Sequence, residues 1–160
     1  MLRRLLQTDG DLSRLLLRVV LGGVMFAHGA QKLFGWFGGA GFSGTMHHFT
    51  EGMGIPAVFA FLAIMAESIG ALALIAGFLT RIAALGIGVV MVVAVLMVHV
   101  PHGFYMNWFG KQQGEGFEYH LLALAMALAL VIKGGGCCAL DGLWLRKRKA
   151  RLTSGTQPLA

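Results

Sequence analysis

Charge is what this chain lacks. Only 12% of its 160 residues are Asp, Glu, Lys or Arg, about half the share that a soluble domain carries, so a solvated globular surface is excluded. With 57% apolar residues and a mean hydropathy of +0.74, the composition is that of an integral membrane protein and is incompatible with a soluble dehydrogenase or a nucleic-acid module. The 13 cations outnumber the 7 acids, but they are gathered at a few places rather than spread over a face, so they report topology and not a polyanionic partner. Cysteine is nearly absent as well. The two present, Cys137 and Cys138, are adjacent, and Cα atoms only ~3.8 Å apart would strain a bridge between them. They are read as two small apolar residues beside a Gly-rich bend, on the reducing side of the membrane. There is no CxxC, HExxH, P-loop or strand-following GxGxxG.

What is present is a set of four apolar segments, residues 15–35, 56–79, 82–100 and 119–140, each near the ~20 residues a helix needs to cross a bilayer. They predict an all-α, integral membrane four-helix bundle, one transmembrane domain over 1–160 with a basic cytoplasmic tail at 141–160. The fourth segment meets Lys133 and then Gly134, Gly135 and Gly136, which disfavour a helix. Arg14 and Arg18 stand beside or inside the start of the first segment, so it is read as a retained helix and not a cleaved signal peptide. Arg3, Arg4, Arg14 and Arg18 precede the first helix, Arg81 lies between the second and third, and Lys133, Arg146, Lys147, Arg148, Lys149 and Arg151 end the chain. Only Lys32 and Lys111 fall on the opposite side. The positive-inside rule then places both termini in the cytoplasm, with an even number of crossings.

The links agree with that layout. Residues 77–81 leave room only for a tight turn, with Gly77 as terminator and Thr80 as N-cap. Phe42, Met46, Phe49 and Met53 recur at helical spacing, predicting a short interfacial helix in the first outer loop. Phe104, Tyr105, Trp108 and Phe109 give the second outer loop the aromatic character of a membrane interface.

Against this background one residue stands out. Glu67 is the single charge between Gly52 and Thr80, near the middle of a membrane helix, where an ionised group is costly unless paired or protonated. Ala60, Ala63, Glu67, Gly70 and Gly77 share one stripe at three- and four-residue spacing, so the carboxylate is expected to point into the bundle. All six histidines lie on the outer loops or outer helix halves, with Glu51, Glu115 and Glu118. At ~1.5 Å per residue His28 lies within ~5 Å of the depth of Glu67, while His99 and His120 lie nearer the outer boundary, outlining a polar path toward Glu67. Lys32 and Gln31 are in reach as its partners. A structural reading gives Glu67 one buried hydrogen bond or ion pair, with Lys32 or Gln31; a functional one gives it a proton to move. His47 and His48, being adjacent, point to different sides of a helix and make a poor chelating pair.

The residues also match a known pattern. Arg18, Leu21, Gly22, His28, Gly29, Gln31, Lys32, Leu33 and Gly35 in the first helix carry a resemblance that continues through Gly54, Pro56, Glu67, Gly70, Gly77, Thr80 and Arg81. It ends with His99, Gly103, Gly116, Glu118, Gly134, Gly136, Leu140 and Asp141. On these the chain resembles the DoxX family of small four-helix membrane proteins, distant relatives of the Surfeit-locus membrane proteins. The resemblance implies a bacterial inner-membrane protein linked to redox assemblies, some relatives looking like the small membrane subunit of a thiosulfate:quinone oxidoreductase. A typical member has a polar or aromatic residue where this chain has Cys137 and Cys138.

The resulting expectation is a membrane subunit that meets a quinone, or a haem b, in an outer-half cavity centred on Glu67. Glu67 and His28 would carry the chemistry, with Lys32, Gln31, His99, Glu118 and His120 binding the ligand and no metal set defined. A redox partner protein and a homo-oligomer are consistent with it. The alternative is a non-catalytic membrane scaffold, or a small-solute or proton transport module.

Overall fold

The computed structural model describes residues 11–146. The tail cations Lys147, Arg148, Lys149 and Arg151, and Arg3 and Arg4, lie outside the described residues. Four long helices run antiparallel in chain order: α1 (Leu12–Phe34), α3 (Ala57–Ala76), α4 (Thr80–His102) and α5 (Glu118–Lys133), with the short α2 (Gly41–His47) in the first outer loop. The first three are long and apolar enough to cross a membrane. Helix α5 stops at Lys133, short of the expected Leu140, because Gly134 takes φ 82° and ends it. Its 16 residues span only about 24 Å. The rest of the inner end is built by the Gly-rich bend and a helical segment at 140–146. "Inner" here denotes the end of Arg14, Arg18 and Arg81, and "outer" the end of the histidines.

The core is aliphatic and small. Leu21, Met25, Ala71, Leu74, Ala84, Ile87, Met91, Ala123, Ala127 and Leu130 form one buried cluster. Alanines on the facing sides of α4 and α5 let these two helices pair along most of their length, which is how helices associate where lipid provides no hydrophobic drive. Helix α1 lies against α3 through two glycines. A Cβ on Gly22 would stand 2.8 Å from the Ile75 side chain, and one on Gly29 would run into the backbone of Glu67 and Ser68. The small-residue stripe of α3 divides in two. Ala60 and Gly77 are buried in the bundle, Ala63 and Gly70 line a cleft, and Glu67 is buried at the edge of that cleft.

The inner end is held by side chains that satisfy helix termini. Arg18, 1% exposed, donates to the carbonyls of Leu74 (3.1 Å), Ile75, Cys137 (3.0 Å) and Cys138 (3.0 Å). Arg14 donates to Lys133 O (2.7 Å), and Arg81 to Val131 O and Ile132 O (both 2.7 Å). In a low-dielectric surrounding the last carbonyls of a helix need such donors. The turn between α3 and α4 follows the same logic in reverse. Gly77 ends α3 at φ 69°, as its position implies. Thr80, however, is not the N-cap but the first helical residue after Leu79 (φ 47°). The capping oxygens come from Asp141, which accepts from Leu79 N (2.8 Å), Thr80 N (3.0 Å) and the Thr80 hydroxyl (3.0 Å). A threonine one residue inside the helix lacks the non-helical backbone that aims an N-cap side chain at the first-turn N–H groups, and a distant carboxylate takes the role.

Asp141→Ala is expected to lower the stability of the detergent-solubilised protein by about 1–2 kcal/mol, the cost of a lost N-cap. Arg18→Leu should cost more, since four carbonyls lose charge-assisted bonds together. Thermal unfolding followed by circular dichroism measures both, and equal melting temperatures for Arg18→Leu and wild type would contradict the capping role.

Candidate functional site

The site begins with the close approach of α1 to α3. At the crossing, α3 widens into a π turn over Ala66–Gly70, a local irregularity that recurs at functional positions because it re-aims side chains. Glu67 lies in that turn and is 4% exposed. Gly29 lets the α1 backbone touch it, and Lys32, three residues further along the same helix face, forms an ion pair with Glu67 Oε2. Lys32 remains half-buried, with 24% of its side chain exposed. No donor is aligned on Glu67 Oε2 as a hydrogen bond, so the contact is one of charge. Ser68 steadies the turn by donating its hydroxyl to Ile64 O at 2.6 Å.

A second π turn, Val95–His99, ends the straight part of α4. It turns His99 toward the first turn of α5, where its ring stacks on His120 with centroids 4.0 Å apart. His99 Nδ1 meets Glu115 O at 2.8 Å. Because a carbonyl only accepts, that nitrogen carries the proton and Nε2 is left as an acceptor. Next to this pair, the Tyr119 ring stands 6.4 Å from that of His28. The Tyr119 hydroxyl and His120 Nδ1 are buried with no hydrogen-bond partner.

These side chains line one cleft of about 1370 Å³. His28, Lys32, Glu67, His99, Tyr119 and His120 form its polar part, and His48 and Glu115 its outer rim. The remainder is apolar and continues between α3 and α4, past Leu62, Ala66 and Ile69 on one side and Leu85, Gly86 and Val89 on the other. Leu62, Ile69, Leu85 and Val89 are each more than 50% exposed, so the cleft opens sideways toward lipid.

Of the residues singled out from the sequence, Glu67, His28, Lys32, His99 and His120 are brought together. Gln31 and Glu118 are not. Gln31 precedes Lys32 by one position, which turns it about 100° around the helix, and it reaches Phe37 O at 3.4 Å instead. Glu118 faces the second outer loop, accepting from Met106 N and Trp108 Nε1, both at 3.0 Å. His48, Glu115 and Tyr119 join the cleft without having been singled out as ligands. Tyr119 had a signal, a phenol beside a histidine at the mouth of an apolar helix, and His48 shares the cleft with Phe49 and Met53. Among the described residues no group of three or more His, Cys, Asp or Glu side chains is placed to hold a metal ion. His99 and His120 are not spaced as a bis-histidine haem pair. Two imidazoles bracketing one iron at ~2 Å bonds would have centroids roughly 6–7 Å apart, and those of His99 and His120 are 4.0 Å apart.

Cys137 and Cys138 stand at the other end of the bundle, outside the cleft. Both are free thiols, and the Cys137 thiol is pushed up from its ordinary range by its hydrogen bond with Cys138.

Residues 13–100, more than half of the chain and all of the segment from α1 through the second π turn, match the family model described as DoxX. The chain belongs to the DoxX family. Within it, the chain is similar to a protein of Bacillus subtilis (strain 168) named "Putative oxidoreductase CatD", with 29% identity over 139 residues, 87% of this chain and 92% of that one. No solved structure matches. The DoxX match contains both members of the ion pair, together with His28 and His99, but ends before Tyr119 and His120.

Lys32→Met leaves the buried Glu67 carboxylate alone and is expected to cost about 3 kcal/mol, the low end for breaking a buried pair because Lys32 is partly solvated. Adding Glu67→Met should recover most of that loss. Unfolding of the two variants in detergent decides it: a double variant less stable than Lys32→Met would show that the two side chains are not coupled.

Proposed function

We propose that this DoxX-family membrane protein is the membrane subunit of a bacterial inner-membrane redox system, and that its outer cleft takes a quinone. One observation carries the reading: two polar atoms, the Tyr119 hydroxyl and His120 Nδ1, are buried without hydrogen bonds on residues of one largely apolar cleft. Leaving each so costs about 1–3 kcal/mol unless a ligand completes it. A quinone offers carbonyl acceptors at its head and, in membranes, an apolar tail. The cleft is larger than the ~300–1,000 Å³ of ordinary small-molecule pockets, and its apolar extension between α3 and α4 suits such a tail.

A quinone supplies two-electron chemistry, gaining two electrons and two protons to become a hydroquinone. The chain's part is to bind, orient and move protons. Tyr119 and the Lys32 ammonium donate hydrogen bonds to the head-group oxygens; a proton that Lys32 gives up is replaced through Glu67, whose carboxylate first takes one up from the outer side and then hands it on. His28 and the stacked His99–His120 pair border the route by which that proton arrives from the outer side. Electrons come from a redox partner docked on the aromatic outer loop, where Trp108 and Phe109 are 78% and 86% exposed. The cations at the inner end support a cytoplasmic side for both termini. A conducting path is disfavoured, because Leu21 and Leu74 are 0–1% exposed below the cleft and Arg18 ties the inner end shut.

Protein purified in mild detergent from quinone-containing membranes should release close to one quinone per chain on solvent extraction. Tyr119→Phe should weaken its retention about tenfold, the value of one hydrogen bond, with the fold unchanged. Glu67→Gln should keep the quinone and slow its reduction by the partner. Wild-type protein that carries no quinone and takes up none from supplemented detergent would overturn the reading.

A further inference from the structure

The adjacent thiols at the inner end are not absorbed by the cleft and have a geometry of their own. We infer that Cys137 and Cys138 form a dithiol site for a thiophilic trivalent metalloid of the arsenic(III) class.

The two sulfurs are 3.3 Å apart, Cys138 is exposed and Cys137 half-buried. Cys138 takes φ 55°, a left-handed conformation that an L side chain adopts at a cost and that glycine adopts freely. The three residues before the pair are glycines, so a fourth glycine would have been the easy solution. A strained non-glycine residue is a pointer to a role for its side chain. The strain is held from behind. Arg18 donates to both the Cys137 and Cys138 carbonyls at 3.0 Å, and Cys137 N donates to Asp11 O at 3.1 Å. The peptide frame from which the thiols project is therefore fixed before anything binds.

The separation of the sulfurs selects the ligand. With bonds of ~2.3 Å, as for thiolate on zinc, sulfurs 3.3 Å apart subtend about 90° at the atom they hold. That suits the pyramidal bonding of arsenic(III). It does not suit a linear mercury(II) or copper(I) ion, and tetrahedral zinc would need further ligands that no third His, Cys, Asp or Glu among the described residues provides. The exchange is balanced without any oxidant. An organoarsenical R–As(OH)2 loses its two hydroxyls and gains two sulfurs; two As–O bonds break, two As–S bonds form, and the two thiol protons leave in two waters. The raised Cys137 proton is one of these and departs with the leaving hydroxyl.

Because the chain has two cysteines in all, the test is clean. Full-length protein in mild detergent, reduced with a phosphine, is titrated with phenylarsine oxide and followed by intact mass and by maleimide labelling of thiols. The expected result is one arsenical per chain, loss of both labelable thiols, resistance to excess glutathione and reversal by 2,3-dimercaptopropanol. Cys137→Ser and Cys138→Ser should retain the probe about 100-fold less well, the advantage of a second thiol on the same frame. Cys138→Gly, which fits the left-handed backbone, should melt higher than wild type and lose the adduct. An adduct that leaves one thiol labelable, single variants that hold the arsenical as wild type does, or tighter retention of cadmium than of the arsenical would each overturn the assignment.

Discussion

One face of α1 organises the molecule. Arg18, Gly22, Gly29 and Lys32 follow one another at spacings of four, seven and three, so all four point toward α3. The two glycines allow the backbones to meet, and the two cations reach across at either end of the contact. Arg18 fastens the last carbonyls of α3 and the bend that follows α5, and Lys32 meets Glu67. Any side chain at Gly29 would push α1 off the π turn of α3, and with it would go the ion pair. The site is therefore a consequence of how closely two backbones can approach, which in a membrane is the main source of helix affinity.

Much of this was legible from residue order. The shortage of charge placed the chain in a membrane, the apolar runs set four helices, and Gly77 marked the turn between the second and third long helices. Glu67 could be singled out because an acid in a long apolar run has few explanations, and Lys32, like Gln31, was in reach as its partner. Helix rotation was less legible. Gln31 and Lys32 are neighbours in sequence and both polar, and only the position of Gly29 against Glu67 shows which of them faces α3. Glu118 and Glu115 differ in the same way: the carboxylate of Glu118 ties down the loop, while Glu115 borders the cleft and accepts from His99 through its backbone. The π turns had no sequence signature at all, although they aim Glu67 and His99.

The arginines show a second limit. Counted as charges they indicate only orientation, but in the fold Arg14, Arg18 and Arg81 each close a carbonyl end. The two readings are compatible. A cation that remains on the inner side of a bilayer is also the donor nearest to the helix C-termini there, so the same residue satisfies the topological bias and the backbone.

The two ends of the bundle thus use polar atoms differently, although Arg18 Nε at the inner end is also buried without a hydrogen bond. At the inner end Arg18 and Asp141 spend their hydrogen bonds on backbone groups that have no other partner, which makes that end rigid and closed. At the outer end Tyr119 and His120 retain buried atoms without a hydrogen bond, beside a cleft open to lipid. Unmet polar groups are tolerated only where the rest of the fold has stability to spare or a ligand restores it. Here the closed end supplies the first condition. The open end then becomes the place where an amphipathic ligand gains most, because each hydrogen bond it makes replaces none already present in the protein.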